Sequence, residues 1–166
     1  RGGFPEGHEM RLPIPDPPYE GGCLCGHVRY RLDARPATMT ACHCDACKKL
    51  SGGTNLLVIT APRDRFHHLS GEVQRYRRTG ESGRQSDVVR CATCGTRLWH
   101  EPLSFPIVTL AAGTLDDPSW VVPASEIWVE RASPAAIFHS DATRFHGQPP
   151  RDDQIAAFQA LYGDDA

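Results

Sequence analysis

Apolar and polar residues alternate along this chain in short runs, and the dominant period is two. Val28-Arg29-Tyr30-Arg31-Leu32 is the cleanest case, and strict alternation of this kind fits a strand with one buried face. Further extended runs are expected at 38–42, at 55–60 up to Pro62, at 66–69 and 73–77 around Ser70-Gly71, at 87–90, at Leu98-Trp99, at 107–110 and at 126–129. Glycine, proline and aspartate punctuate them, so that 79–83 reads as a loop and Gly113-Thr114-Leu115-Asp116-Asp117-Pro118 as a turn. Two places break the pattern. Residues 48–53 have room for a single helical turn that stops at glycine. At 152–161, Ile155, Phe158 and Leu161 recur at helical spacing behind acidic residues in the first turn. The expectation is a mainly β fold with a short C-terminal helix. Residues 1–18, rich in Gly and Pro, read as an N-terminal arm in which Met10 is either a start or an internal residue; 19–146 read as one zinc-binding β domain and 147–166 as a C-terminal extension.

A chain of 166 residues fits one domain with a real core. Hydrophobic residues at 40% and charged residues at 23% are ordinary for a soluble protein, and no apolar run approaches the ~20 residues of a membrane span. No signal peptide is visible, so the cytoplasm is the expected compartment and a membrane is not an expected partner. The formal charge is −2, and thiolate sites loaded with zinc would make the balance more acidic. That argues against nonspecific attraction to phosphate backbones, and nucleic acid is not expected as a partner.

The candidate chemistry lies in the seven cysteines. Cys42-His43-Cys44-Asp45-Ala46-Cys47 packs three soft ligands into six residues. In an extended chain Cys42 and Cys44 point one way and His43 the other, while the two-residue gap from Cys44 to Cys47 lets a turn bring both sulfurs onto one ion. Three thiolates leave a tetrahedral zinc one ligand short, as in a catalytic rather than a structural site. Cys23 and Cys25 share a face by the same alternation, and Cys91-Ala92-Thr93-Cys94-Gly95 has the shape of a zinc knuckle. Disulfides suit the odd count poorly. Spacing leaves the partition of these residues open. Cys44/Cys47 with Cys91/Cys94 would form a zinc ribbon, but the gap far exceeds the ~15 to 20 residues expected and strands Cys42. We prefer Cys23, Cys25, Cys91 and Cys94 as a closed structural site, which leaves the trio intact as an open one.

Lys48 and Lys49 are the only lysines, and both follow Cys47 directly. They would lower neighbouring thiol pKa values or receive a substrate carboxylate, with a solvated face as the alternative. His43 is expected to orient a ligand rather than react, although a proton relay from a bound thiol is the competing role. Core packing is the expected role of Trp99, Trp120 and Trp128, with a substrate wall as the alternative, and the His67-His68 pair is assigned no chemistry.

Taken in order, Gly21-Gly22-Cys23-Leu24-Cys25-Gly26, Cys42-His43-Cys44 with Cys47, Ser51-Gly52, Cys91-Ala92-Thr93-Cys94-Gly95 and Gly113-Thr114-Leu115-Asp116-Asp117-Pro118 resemble the glutathione-dependent formaldehyde-activating enzymes, a family that includes centromere protein V. The likeness covers roughly residues 19–146. It implies a mainly β, tent-like arrangement of twisted antiparallel sheets, a structural zinc on Cys23, Cys25, Cys91 and Cys94, and a catalytic zinc on Cys42, Cys44 and Cys47. Members often carry an arginine after the trio and an aromatic just after the Ser-Gly, where this chain has Lys48 and Thr54-Asn55, so the pocket wall is expected to differ. The implied activity is a zinc-dependent carbon–sulfur lyase of the S-(hydroxymethyl)glutathione synthase type, adding glutathione or a similar thiol to formaldehyde or another small electrophile. A thiol carrier without turnover and a zinc-stapled interaction module are the alternatives.

Overall fold

In the computed structural model, which describes residues 11–163, the alternation places two sets of side chains on opposite faces of one large sheet. Eleven strands form in chain order: β1 (Tyr19–Gly22), β2 (Arg29–Leu32), β3 (Thr38–Cys42), β4 (Leu56–Pro62), β5 (Phe66–Ser70), β6 (Val73–Thr79), β7 (Gln85–Cys91), β8 (Arg97–Pro102), β9 (Ile107–Ala111), β10 (Ser125–Ile127) and β11 (Thr143–Arg144). Two helices accompany them, α1 (Asp45–Ser51) and α2 (Arg151–Tyr162). The large sheet has the order β11-β10-β3-β4-β9-β8-β7-β6, and a small sheet has the order β1-β2-β5. Pairing is antiparallel except at one edge, where β10 runs parallel to both β3 and β11. The fold is mainly β, with two sheets and a short C-terminal helix.

The core lies between the sheets. Tyr30 of β2 and Phe66 of β5 meet Trp99 of β8, with ring centroids 6.0 Å and 4.9 Å from the indole. Met39, Ile59, Val89 and Leu110 extend the same layer along the large sheet. The opposite face of that sheet carries Thr40, Val58, Thr109 and Val88, and it lines a cavity rather than solvent. This explains why all five residues of β3 are buried: a strand covered on both faces has no wet side. Trp99, fully buried, therefore belongs to the core, and replacing such a residue by alanine removes about 3–5 kcal/mol.

The expected N-terminal arm falls partly outside the described residues, including Met10 and the question of where the natural chain starts. Its described part is tied down: Leu12 N–H donates to Leu161 O at 3.0 Å, and Ile14 is buried. Helix α2 packs Phe158 and Tyr162 into the core and sends Gln154 Nε2 to Thr40 Oγ1 at 3.3 Å, beside the cavity. No helix among the described residues is long and apolar enough to cross a membrane.

Candidate functional site

Strand β3 delivers Cys42 to the cavity face, and the turn that follows leads into α1. Cys44 caps that helix in an extended conformation, its sulfur accepting Cys47 N–H at 3.4 Å. Gly52, at φ 69°, ends it, and its N–H closes on Lys48 O at 2.9 Å; this backbone conformation suits glycine far better than any residue with a Cβ. The result is a longer helix than the single turn expected, with Cys42, Cys44 and Cys47 converging so that their sulfurs all lie within 4.8 Å of one another. Those three side chains line one wall of the cavity, whose volume is ≈ 200 Å³.

The other four cysteines meet elsewhere. Cys23 and Cys25 come from the β1–β2 connection, Cys91 from the end of β7 and Cys94 from the turn into β8. Their sulfurs also fall within 4.8 Å of one another, with Cys23–Cys25 at 3.4 Å and Cys25–Cys91 at 3.9 Å. Tetrahedral zinc with Zn–S bonds of ~2.3 Å sets sulfurs roughly 3.8 Å apart, so both groups have the donor type and spacing of a metal site. Protonation within the trio is uneven. In the trio, hydrogen bonds from Cys42 and Cys47 hold the Cys44 thiol down to about 2, while hydrogen bonding to Cys44 and Cys47, with burial, pushes Cys42 well above the usual thiol range. Packed thiolates repel, and a bound dication removes that opposition.

His43 faces away from the cavity, as alternation requires. It is fully buried; Nε2–H donates to Glu126 Oε2 at 2.6 Å, and Glu126 Oε1 also accepts His139 N–H at 3.0 Å. Glu126 thus fixes the ring on the face away from the cavity, where it packs against Phe138, while its Nδ1 is buried with no hydrogen-bond partner. The lysines lie outside the cavity lining. Lys48 Nζ donates to Arg131 O at 2.7 Å and pairs with Asp45 at 2.9 Å, and neither Lys48 nor Lys49 lines the cavity. The helix that presents Cys47 turns them outward. Thr54 and Asn55 are not part of the cavity wall either. Of the tryptophans, Trp128 lines the cavity with Arg131 stacked over its ring at 4.9 Å. Its backbone adopts φ 58°, a sparsely populated state for a bulky residue. Trp99 is core, and Trp120 packs on Tyr19 at 4.9 Å. His67 pairs with Asp33 at 3.0 Å, and His68 stacks on Trp99.

Sequence reasoning missed the basic lining. Arg78, Arg84, Arg97 and Arg151 all face the cavity, together with His100. Arg97 and His100 are three apart and would lie on opposite faces of a regular strand. A bulge in β8 opposite Val89-Arg90, with Leu98 as the extra residue, brings both to the same face. Arg97 Nη2–H then donates to His100 Nδ1 at 2.8 Å. Burial, reinforced by the guanidiniums of Arg97 and Arg78, presses His100 down to about 3, so it stays neutral; burial likewise lowers Arg97 to about 10, where it remains charged at neutral pH. A register shift of one residue leaves no signature in sequence, so these residues could not be grouped from spacing.

Comparison with known proteins adds one positive finding. The family model described as "Glutathione-dependent formaldehyde-activating enzyme" matches residues 18–131. No curated protein matches the chain. A crystal structure of a Rhodobacter sphaeroides protein is 20% identical, with a TM-score of 0.48, and the alignment covers 58% of this chain and 87% of that one. The family match spans the small sheet, both cysteine groups and β10, which is most of the chain and every residue of the two candidate metal sites. This chain belongs to the glutathione-dependent formaldehyde-activating enzyme family.

Proposed function

We propose that the protein is a carbon–sulfur lyase of the S-(hydroxymethyl)glutathione synthase type, joining glutathione or a similar thiol to formaldehyde or another small electrophile. Cys42, Cys44 and Cys47 would hold a catalytic zinc, and Cys23, Cys25, Cys91 and Cys94 a structural one. The observation that carries the reading is the trio on the cavity wall: among the described residues it gathers three ligating side chains and no fourth. His43, the nearest alternative ligand, is committed to Glu126 on the far face. When bound, the zinc supplies a positive field in which an incoming thiol gives up its proton. The protein's own groups do the rest. Strand β3 and helix α1 hold the three sulfurs at fixed spacing. Thr40, Thr109 and Trp128 line the same cavity as the trio. Addition makes one S–C bond, opens the carbonyl π bond and places the thiol proton on the former carbonyl oxygen.

Zinc-loaded protein mixed with glutathione and formaldehyde is expected to form the adduct faster than the uncatalysed mixture. Metal analysis is expected to give two zinc ions per chain, and Cys44→Ser to lose one of them together with the activity. A rate equal to the background with formaldehyde and with other small carbonyl electrophiles alike, with two metals bound, would rule out the enzyme; tight glutathione binding without turnover would identify a carrier instead.

A further inference from the structure

The cavity is lined by arginines that lack carboxylate partners among the described residues. Arg78, Arg84, Arg97 and Arg151 line it, and none of the four has a carboxylate within ion-pair distance among the described residues. Away from the cavity floor the same side chain is regularly paired, as in Arg29–Asp116, Arg31–Asp33 and Arg77–Asp87. The one carboxylate among the cavity-lining residues, Glu81, is held by Arg131 at 2.8 Å. Arg84 and Arg151 stack on Phe105, at 5.2 Å and 5.7 Å from its centroid. Arg97 is different. It is held by His100 through one nitrogen, while its Nε and Nη1 are buried with no hydrogen-bond partner. Orphaned charged donors in a cavity wall mark a place where a ligand or water completes the hydrogen bonding.

Position decides which part of a ligand that is. Arg97 and Arg78 line the same cavity as Cys42, Cys44 and Cys47. An anion received here shares the cavity with the sulfur that reacts. Both carboxylates of glutathione are many bonds from its sulfur, whereas the carboxylate of a 2-oxo acid is attached directly to the carbon that the sulfur attacks. We infer that Arg97, oriented by His100 and assisted by Arg78, receives a carboxylate on the electrophile, so that the preferred electrophile is a small 2-oxo acid of the glyoxylate type rather than neutral formaldehyde.

The inference deepens the proposed function and rests on it for the reaction. The thiol S–H adds across the ketone or aldehyde C=O; an S–C bond forms, the C=O π bond breaks, and the thiol proton ends on the new hydroxyl of a 2-hydroxy-2-thio acid, with no oxidant or reductant. His100 is a positioning residue, since its neutral Nδ1 fixes Arg97 and touches no reacting atom.

The test uses full-length, zinc-loaded protein. Calorimetric titration is expected to show glyoxylate binding in the absence of any thiol, weakened about 10- to 100-fold in Arg97→Gln, as loss of a charge-assisted hydrogen bond predicts, and partly restored in Arg97→Lys. S-methylglutathione, whose sulfur is blocked, reports separately on carboxylates of the thiol substrate. In kinetics with glutathione, wild-type protein is expected to favour glyoxylate over formaldehyde in kcat/KM, and the ratio to fall at least tenfold in Arg97→Gln. Wild-type preference for formaldehyde, glyoxylate binding indifferent to Arg97, or a loss confined to S-methylglutathione would overturn the inference. Absence of turnover with both electrophiles would count against the proposed function alone, because the titration reads the carboxylate site without chemistry.

Discussion

His100 shows how a single side chain can be read once its surroundings are known. Its folded pKa of about 3 lies far below the ordinary value of 6.5, because burial and two nearby guanidiniums oppose the imidazolium. Between those two values the unfolded chain binds the additional proton, so stability is fully present above pH 6.5 and declines as the pH falls toward 3. Asparagine at this position still accepts from Arg97 but does not titrate. Thermal melts from pH 7 to pH 4 are therefore expected to show a shallower loss of Tm for His100→Asn than for the wild type. Equal slopes would mean that His100 carries none of the acid sensitivity; thiolate protonation at the metal sites is common to both proteins and cancels in the comparison. His43 makes the complementary point. Alternation alone predicted that it faces away from Cys42 and Cys44, but only the fold supplies Glu126, from a strand far along the chain, to hold it there.

At the scale of elements, the turns matter as much as the strands. Gly71 joins β5 of the small sheet to β6 of the large one at φ 88°, and a Cβ there would sit 2.2 Å from the backbone oxygen of His27. Gly83 has φ 78° but open space around it. Gly83→Ala is expected to lose only the left-handed backbone term, about 1 kcal/mol. Gly71→Ala must in addition displace the backbone that follows Cys25, and its Tm is expected to fall several-fold further. Similar melts for the two variants would show that the β5–β6 turn adapts freely. The strands themselves were largely legible, because period two with β-branched and aromatic residues survives in the sequence. Helix α1 was foreseen only as a single turn, since a short helix starting on a cysteine cap lacks the usual Ser, Thr, Asp or Asn signal. The parallel pairing of β10 was not legible at all: β10 is three residues long, and its register against β3 is set by long-range contacts.

For the molecule as a whole, Cys23, Cys25, Cys91 and Cys94 bring the β1–β2 connection of the small sheet together with the β7–β8 turn of the large one, where a metal would staple them. Metal binding at such a site is coupled to folding on the order of 10 kcal/mol, comparable with the entire stability of a domain. Cys91→Ser is expected to lose one metal ion and to melt far below the wild type, and strong chelation of the wild type to give the same loss. A folded, fully metallated Cys91→Ser protein would show that the two sheets hold together without the staple.

The sequence by itself determined the strand-rich architecture, the C-terminal helix and the cysteines as the candidate ligands, while leaving their partition open, because period-two alternation and ligand spacing are local properties that survive in one dimension. The tertiary structure alone decided that Cys42, Cys44 and Cys47 line a cavity whose remaining charges are arginines, that the lysines beside Cys47 turn outward, and that a one-residue bulge sets Arg97 beside His100. Those outcomes depend on register and on which distant strands become neighbours. Both are set by the burial of two sheet faces at once, a constraint that no stretch of the chain carries alone.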